Sequence, residues 1–244
     1  MMIPNNNKGK LYLIPTTLGD IGPLEVLPLS IKRVVESVNY YVAENEKVAR
    51  RFIKKLSPGK SQSKLNFQLI NKYTNAIELQ SYLNPCLDGH DVGILSDAGC
   101  PGVADPGADV VKLAHEKDIR VIPLVGPSSI LLALMASGMN GQSFAFNGYL
   151  PIESQERRVE IKKLERLSKD LQQTQIFIET PYRNDKLLEA LVQILNKNTM
   201  LCVACDLTLP TEFIKTQPVS LWSHYEIDLH KRPAIFLILA SNHF

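Results

Sequence analysis

The sequence predicts an α/β protein of two domains, and three observations support that reading. Short apolar runs of four to eight residues alternate with stretches of helical periodicity. Glycine- and proline-rich segments follow several of those runs at once, as loops do at the carboxyl ends of parallel strands. A change of composition near residues 139–152 separates one alternating series from a second, so domains are expected at 1–140 and 141–244.

Residues 11–15, LYLIP, read as the first strand and open onto the turn-rich TTLGDIGP. A helical stretch near 28–38 leads to VNYYVAE (38–44), a second strand. In NEKVARRFIKKL (45–56), Ala49, Phe52, Ile53 and Leu56 share one helical face, and Lys47, Arg50, Arg51 and Lys54 share the other. That helix stops at Ser57-Pro58-Gly59. The polar segment 60–75 holds FQLI as a short strand, and 76–88 reads as a helix interrupted at Pro85. DVGILS (91–96) is a strand, 108–118 a helix and IRVIPLV (119–125) a strand. Ser128 or Ser129 is placed to cap the helix ILLALMASG, which is apolar nearly all round and therefore expected to be buried. Residues 139–152, rich in glycine and aromatics, read as the connection between domains. Beyond them come a charged helix (153–170), a strand (174–179), a helix over about 183–196, and strands at 200–207 and 234–240.

Composition narrows the function classes. Hydrophobic residues make up 45% and charged residues 21% of the 244, an ordinary globular balance. No apolar run approaches the ~20 residues that span a bilayer, and MMIPNNNKGK lacks the layout of a signal peptide, so a soluble cytoplasmic protein is expected. The net charge of +2 neither requires nor excludes a polyanionic partner. Cys202 and Cys205 have C-x-x-C spacing, but MLCVACDL reads as a strand, and residues three apart on a strand point to opposite faces. Buried thiols account for the pair better than a metal, and the five histidines lack paired ligand spacing, so no metal site is expected.

Three loops share one design: TTLGD after LYLIP, DAGCPGVADPG after DVGILS, and GPSS after IRVIPLV. Glycine lets backbone approach a ligand closely and proline stiffens the loop, a combination suited to a flat polar ligand such as a nucleoside. Tight turn chemistry explains any one of them alone; three at strand ends favour a shared pocket. The chain has no G-x-x-x-x-G-K-[ST] and no G-x-G-x-x-G after a strand, which argues against a triphosphate or dinucleotide site.

LYLIPTTLGDIGPLEVLP, VGILSDAGCPGVADPG, VIPLVGPSSILLALMASG, FAFNGYLPIES and FIETPYR occur in one order. Together they resemble the tetrapyrrole (corrin/porphyrin) methylase superfamily, most of all its branch that methylates a cytidine 2′-hydroxyl in small-subunit ribosomal RNA. The resemblance covers about residues 10–240. It implies a methyltransferase with a two-domain α/β fold, S-adenosylmethionine folded in the cleft between domains, ribosomal RNA as partner, and a homodimer. Carried onto this sequence, it implies cofactor contacts from Pro15, from Asp97, Ala98, Gly99, Pro101 and Gly102, from Ala104 and Asp105, and from Pro127, Ser128 and Ser129. The second domain adds Tyr149, Leu150, Leu207, Pro233 and Ala234.

A ribose hydroxyl that attacks a methyl group must lose its proton. Glu44, at the end of the second strand, is the candidate base and Asp20 the reserve, although Glu44 is equally placed to serve the start of the next helix. Arg50 and Arg51 lie on the basic face, which suits an RNA backbone but is also the pattern of a plain solvated face. Tyr182 and Arg183 could stack on a base and grip a phosphate, or simply open a helix. Glu44-Asn45-Glu46-Lys47 departs from the acidic-acidic-Thr-Arg run typical of the rRNA branch, and NFQLINKYTN replaces its histidine-rich segment. Methyl transfer survives these departures; the acceptor stays open, with a small molecule such as a tetrapyrrole precursor, or a non-catalytic cofactor-binding module, as alternatives.

Overall fold

The computed structural model describes residues 8–71 and 73–240. The first seven residues, where no leader peptide is expected, lie outside them. Contacts divide the chain between Ser128 and Ser129 into two compact units.

The first unit runs β1 (Leu11–Ile14), α1 (Pro23–Val26), α2 (Leu29–Ser37), β2 (Tyr40–Ala43), α3 (Glu46–Leu56), β3 (Asn66–Leu69), α4 (Ala76–Leu79), α5 (Asn84–Leu87), β4 (Val92–Leu95), α6 (Gly107–Glu116) and β5 (Val121–Pro123). All five strands are parallel, in the order β3-β2-β4-β1-β5. Strand side chains alternate between two cores. Ile14, Tyr41, Ala43 and Leu95 pack with α2 and α3, while Leu11, Val42, Val92 and Ile94 pack with α5 and α6. The wound order sends the connections from β1 and β2 one way along the sheet and those from β3 and β4 the other. Departures therefore diverge between the neighbours β2 and β4, the crevice where open α/β sheets receive ligands.

The expected strands are found, most of them shortened at one or both ends, whereas the short strand FQLI begins one residue earlier, at Asn66. The expected helix over 76–88 is two short helices, α4 and α5. Pro85 does not interrupt it; it occupies the first turn of α5, where a missing N–H costs nothing. Basic helix α3 buries Ala49, Phe52, Ile53 and Leu56 as its periodicity requires.

The second unit runs α7 (Ser129–Ser137), β6 (Phe144–Tyr149), α8 (Ser154–Leu171), β7 (Thr174–Ile178), α9 (Asn184–Ile194), β8 (Met200–Cys205), β9 (Phe213–Pro218), α10 (Val219–Trp222) and β10 (Ala234–Leu239). Its sheet has the order β6-β7-β10-β8-β9, with β6 and β7 parallel and the remaining pairs antiparallel. Phe177 and Phe236 stack at 6.2 Å in its core, and the Trp222 indole donates to the Leu201 carbonyl at 3.1 Å. Cys202 and Cys205 are both buried in β8, and burial raises each thiol pKa to about 11.

Two expectations are corrected here. Residues 139–152 are not only a connection, because they contain β6. Asn147-Gly148, which reads as a turn, sits in a register shift of that strand, with Gly148 at φ +64°. Helix α7, expected to be buried, covers only Ala133, Leu134 and Ser137, whereas Met135 stays 79% exposed. A helix apolar on every side carries no amphipathic signal to say which face is covered.

The α3 N-cap gives a direct test of local stability. The Asn45 side-chain oxygen accepts from Lys47 N at 3.0 Å and Val48 N at 3.3 Å. Asn45→Ala is expected to cost about 1 kcal/mol, read as a lower urea midpoint with an unchanged slope.

Candidate active site

In-register pairing decides which residues meet at the carboxyl edge of the first sheet. Leu95 pairs with Ile14 on one side and Ala43 on the other, so Pro15, Glu44 and Ser96 leave the sheet at one level. Hydrogen bonds then knit the loops together. Thr16 N donates to the Gly99 carbonyl at 2.9 Å, Thr16 Oγ1 to the Ser96 carbonyl at 3.2 Å, and Ser96 Oγ to the Gly99 carbonyl at 2.8 Å. The Cys100 thiol contacts the Pro127 carbonyl at 3.4 Å, tying in the loop after β5. Gly126 passes so close to Pro15 that a Cβ there would lie 2.2 Å from the proline Cβ.

Within the long loop after β4, one carboxylate oxygen of Asp105 accepts from Gly102 N at 2.6 Å and Gly107 N at 2.8 Å. This closes a turn in which Gly102 and Ala104 both have left-handed backbone, φ +79° and +59°. Pro101 and Pro127 are buried beneath, while Asp97, Ala98 and Ala104 face solvent. Ser129 is the first residue of α7 and Ser128 precedes it. Of the candidate cofactor residues, Pro15, Asp97, Ala98, Gly99, Pro101, Gly102, Ala104, Asp105 and Pro127 thus share one set of interlocked loops.

The second unit gathers another group at one edge of its own sheet. Ala234 pairs with Cys205, and Ile235 with Ile178, so the start of β10 lies beside the ends of β7 and β8. Asp206 N donates to the Pro233 carbonyl at 3.0 Å, which brings Leu207 next to Pro233-Ala234. Arg232 holds this corner, donating to Asp206 Oδ2 at 2.7 Å and to the carbonyls of Thr211 at 2.7 Å and Asp228 at 3.0 Å. Tyr149 closes β6 opposite Ile178 with its ring exposed, and Leu150 is buried behind it. Arg183 is paired with buried Glu179 at 2.6 Å, and exposed Tyr182 meets His230 edge-on at 5.8 Å. Arg232 and Asp206 were not singled out in the sequence; only the Arg-Pro step before a strand hints at them.

The profile of the tetrapyrrole (corrin/porphyrin) methylases matches residues 10–221. The chain belongs to that family. It is 27% identical over 242 residues to the ribosomal RNA small subunit methyltransferase I of Escherichia coli O157:H7, covering 98% of this chain and 80% of that protein. It is 30% identical over 210 residues to the protein of that name from Vibrio cholerae, covering 86% and 69%. Among solved structures it resembles uroporphyrin-III-C-methyltransferase from Thermus thermophilus, with a TM-score of 0.54, 19% identity and 95% and 92% of the two chains covered. Cobalt precorrin-4 methyltransferase gives 0.61, 14% identity and 98% of each chain. These two likenesses establish the shared fold.

In this methylase the candidate acids differ in environment. Asn45 takes the cap of α3, so Glu44 is left with no hydrogen bond to another described residue. Desolvation raises the Glu44 pKa, and the negative charges of Asp105 and Asp97 push it further. Desolvation also raises Asp97 and Asp105, in the latter against its two backbone hydrogen bonds. Asp20 behaves oppositely: its ion pair with Lys55 lowers its pKa. The two candidate arginines also part company. Arg50 is committed to Glu46 at 2.7 Å, to the Gln62 carbonyl at 2.7 Å and to the face of Phe67 at 4.7 Å. Arg51 instead lines a cavity of about 240 Å³ with Thr16, Thr17, Asp20, Lys55 and Asp97.

The contact between Gly126 and Pro15 makes a sharp prediction. Gly126→Ala is expected to cost about 1–3 kcal/mol in stability, because backbone-anchored atoms must separate. Gly59→Ala, whose added Cβ meets nothing within 4 Å, serves as the control and should leave the melting temperature nearly unchanged.

Proposed function

We propose that the chain transfers a methyl group from S-adenosylmethionine to a ribose 2′-hydroxyl of small-subunit ribosomal RNA, with Glu44 as the proton acceptor. The observation that carries this reading is the placement of Glu44. It is a carboxylate with raised basicity and no competing hydrogen bond, at the crevice between β2 and β4. The named relatives from E. coli and V. cholerae, matched over most of the chain, support the choice of RNA.

The residues fit the cofactor. The loop after β4 exposes Asp97, Ala98 and Ala104, and its left-handed Gly99 and Gly102 carry no side chain to keep a nucleoside away. Glu44, Asp97 and Asp105 make this edge negative, which favours a cation such as a sulfonium. S-adenosylmethionine supplies an activated methyl group when bound. Pro15, the segment 97–105, Pro127, Ser128 and Ser129 would hold it. The work left to the chain is alignment of the acceptor oxygen and removal of its proton. Arg51 and Arg183 would meet RNA phosphates and Tyr182 a base, while the raised pKa suits Glu44 to take the proton. The same reading makes the protein a cytoplasmic homodimer, which sedimentation tests.

Incubation with methyl-labelled S-adenosylmethionine and small ribosomal subunits lacking the modification should place label on a ribose 2′-oxygen. Glu44→Gln should reduce kcat about a hundredfold or more, the share general-base catalysis supplies. Label on a small molecule instead of RNA would overturn the choice of acceptor. The base must be ionised, so the rate is expected to rise with pH through a pKa above the ordinary glutamate value of 4.5. Asp105→Asn keeps an acceptor for Gly102 and Gly107 while removing one negative neighbour. Its acid limb, measured at saturating cofactor, is therefore expected at lower pH.

A further inference from the structure

The cavity beside the acid cluster has a feature that the methyl-transfer reading leaves unused. Its walls come from the loop after β1, one flank of α3 and the first residues after β4. Two cations, Arg51 and Lys55, line it one helical turn apart. The Arg51 guanidinium makes no hydrogen bond to another described residue and is attracted to Asp20 at longer range. Lys55 is occupied by Asp20 alone.

That ion pair has the marks of an exchangeable contact. The Asp20 side chain is 85% exposed and that of Lys55 42%. Asp20 makes no other side-chain hydrogen bond among the described residues, so Lys55 is its main partner and the charge of Arg51 adds a weaker attraction. An exposed pair of this kind contributes little to stability and yields readily to a competing anion. Asp20 is also the acid least suited to accept a proton here, since Lys55 holds it in the ionised form.

We propose that Asp20 is a built-in substitute for a backbone phosphate of the RNA substrate. It neutralises Lys55 in the free protein and is displaced when an RNA phosphate reaches Lys55 and Arg51. The inference rests on the RNA reading above and adds Lys55 as a phosphate contact and Asp20 as its intramolecular competitor. The cavity lies beside Ser96 and Asp97, so a phosphate held there brings the adjoining ribose toward the edge that carries Glu44. An anionic competitor on the main cation also lowers affinity for RNA that offers charge but no fit, because indiscriminate binding is almost wholly electrostatic.

The test is RNA affinity in a double-mutant cycle, read with intact small ribosomal subunits and with a short single-stranded RNA. Asp20→Asn should tighten binding about two- to fivefold, the range an exposed ion pair spans. Lys55→Gln should weaken it and reduce the slope of log affinity against log salt by about one. In the Lys55→Gln background, Asp20→Asn should have no further effect. If wild type binds RNA but Asp20→Asn leaves affinity unchanged or weaker, the competitor role is wrong while the RNA reading stands. A gain that persists without Lys55 also overturns it, since the carboxylate would then repel RNA as a bulk charge. Wild type that binds neither RNA nor subunits removes the RNA reading itself.

Discussion

The placement of strand β4 between β1 and β2 is the constraint on which the active edge depends. A Cβ at Gly93 would lie 2.6 Å from Ile14 Cδ1 and 3.1 Å from the Tyr41 ring, so only glycine lets both neighbours close over this strand. With that space filled by Ile14 and Tyr41, parallel pairing sets Ile14, Leu95 and Ala43 at one level. The three strands leave the sheet together, so Pro15, Ser96 and Glu44 emerge side by side. Loop hydrogen bonds at Thr16, Ser96 and Gly99 then fix the geometry that the register began. A parallel sheet buried on both faces has strong reason to hold one register, since a slip by one residue would exchange its two cores.

Charge is unevenly distributed along this edge. The chain as a whole is nearly neutral, at +2. Locally, three carboxylates crowd the ends of β2 and β4, each held above its ordinary pKa chiefly by desolvation. Farther along α3, Arg51 and Lys55 bring two cations to the adjoining cavity, where Asp20 and Asp97 balance them. This uneven local distribution of charge is invisible in the net composition.

Much of the first unit was legible because buried parallel strands read as unbroken apolar runs and their loops as glycine and proline. DVGILS followed by DAGCPGVADPG is the clearest case, and the side of α3 that packs inward was also correct. Edge strands were harder. In β6, Asn147 and Gly148 mimic a turn, and in β9 the sequence FIKTQP has neither an apolar run nor a clear alternation. The Arg50 contacts with Gln62 and Phe67 depend on where the chain returns after α3, which helical spacing does not encode. Likewise, Asp105 and Asp97 look alike in SDAGCPGVADPG, and only the fold gives one of them two backbone N–H groups to hold.

The central claim is that the three glycine- and proline-rich loops of the first unit form the cofactor seat. A crystal structure with bound S-adenosylhomocysteine tests it most directly. The account predicts the ligand against the loops that follow β1, β4 and β5, within contact of Pro15, Gly99 to Gly102 and Pro127. Density instead in the acid-lined cavity of about 660 Å³ beside α9, near Asp185 and Glu226, would contradict it. So would a chain that binds no cofactor at all.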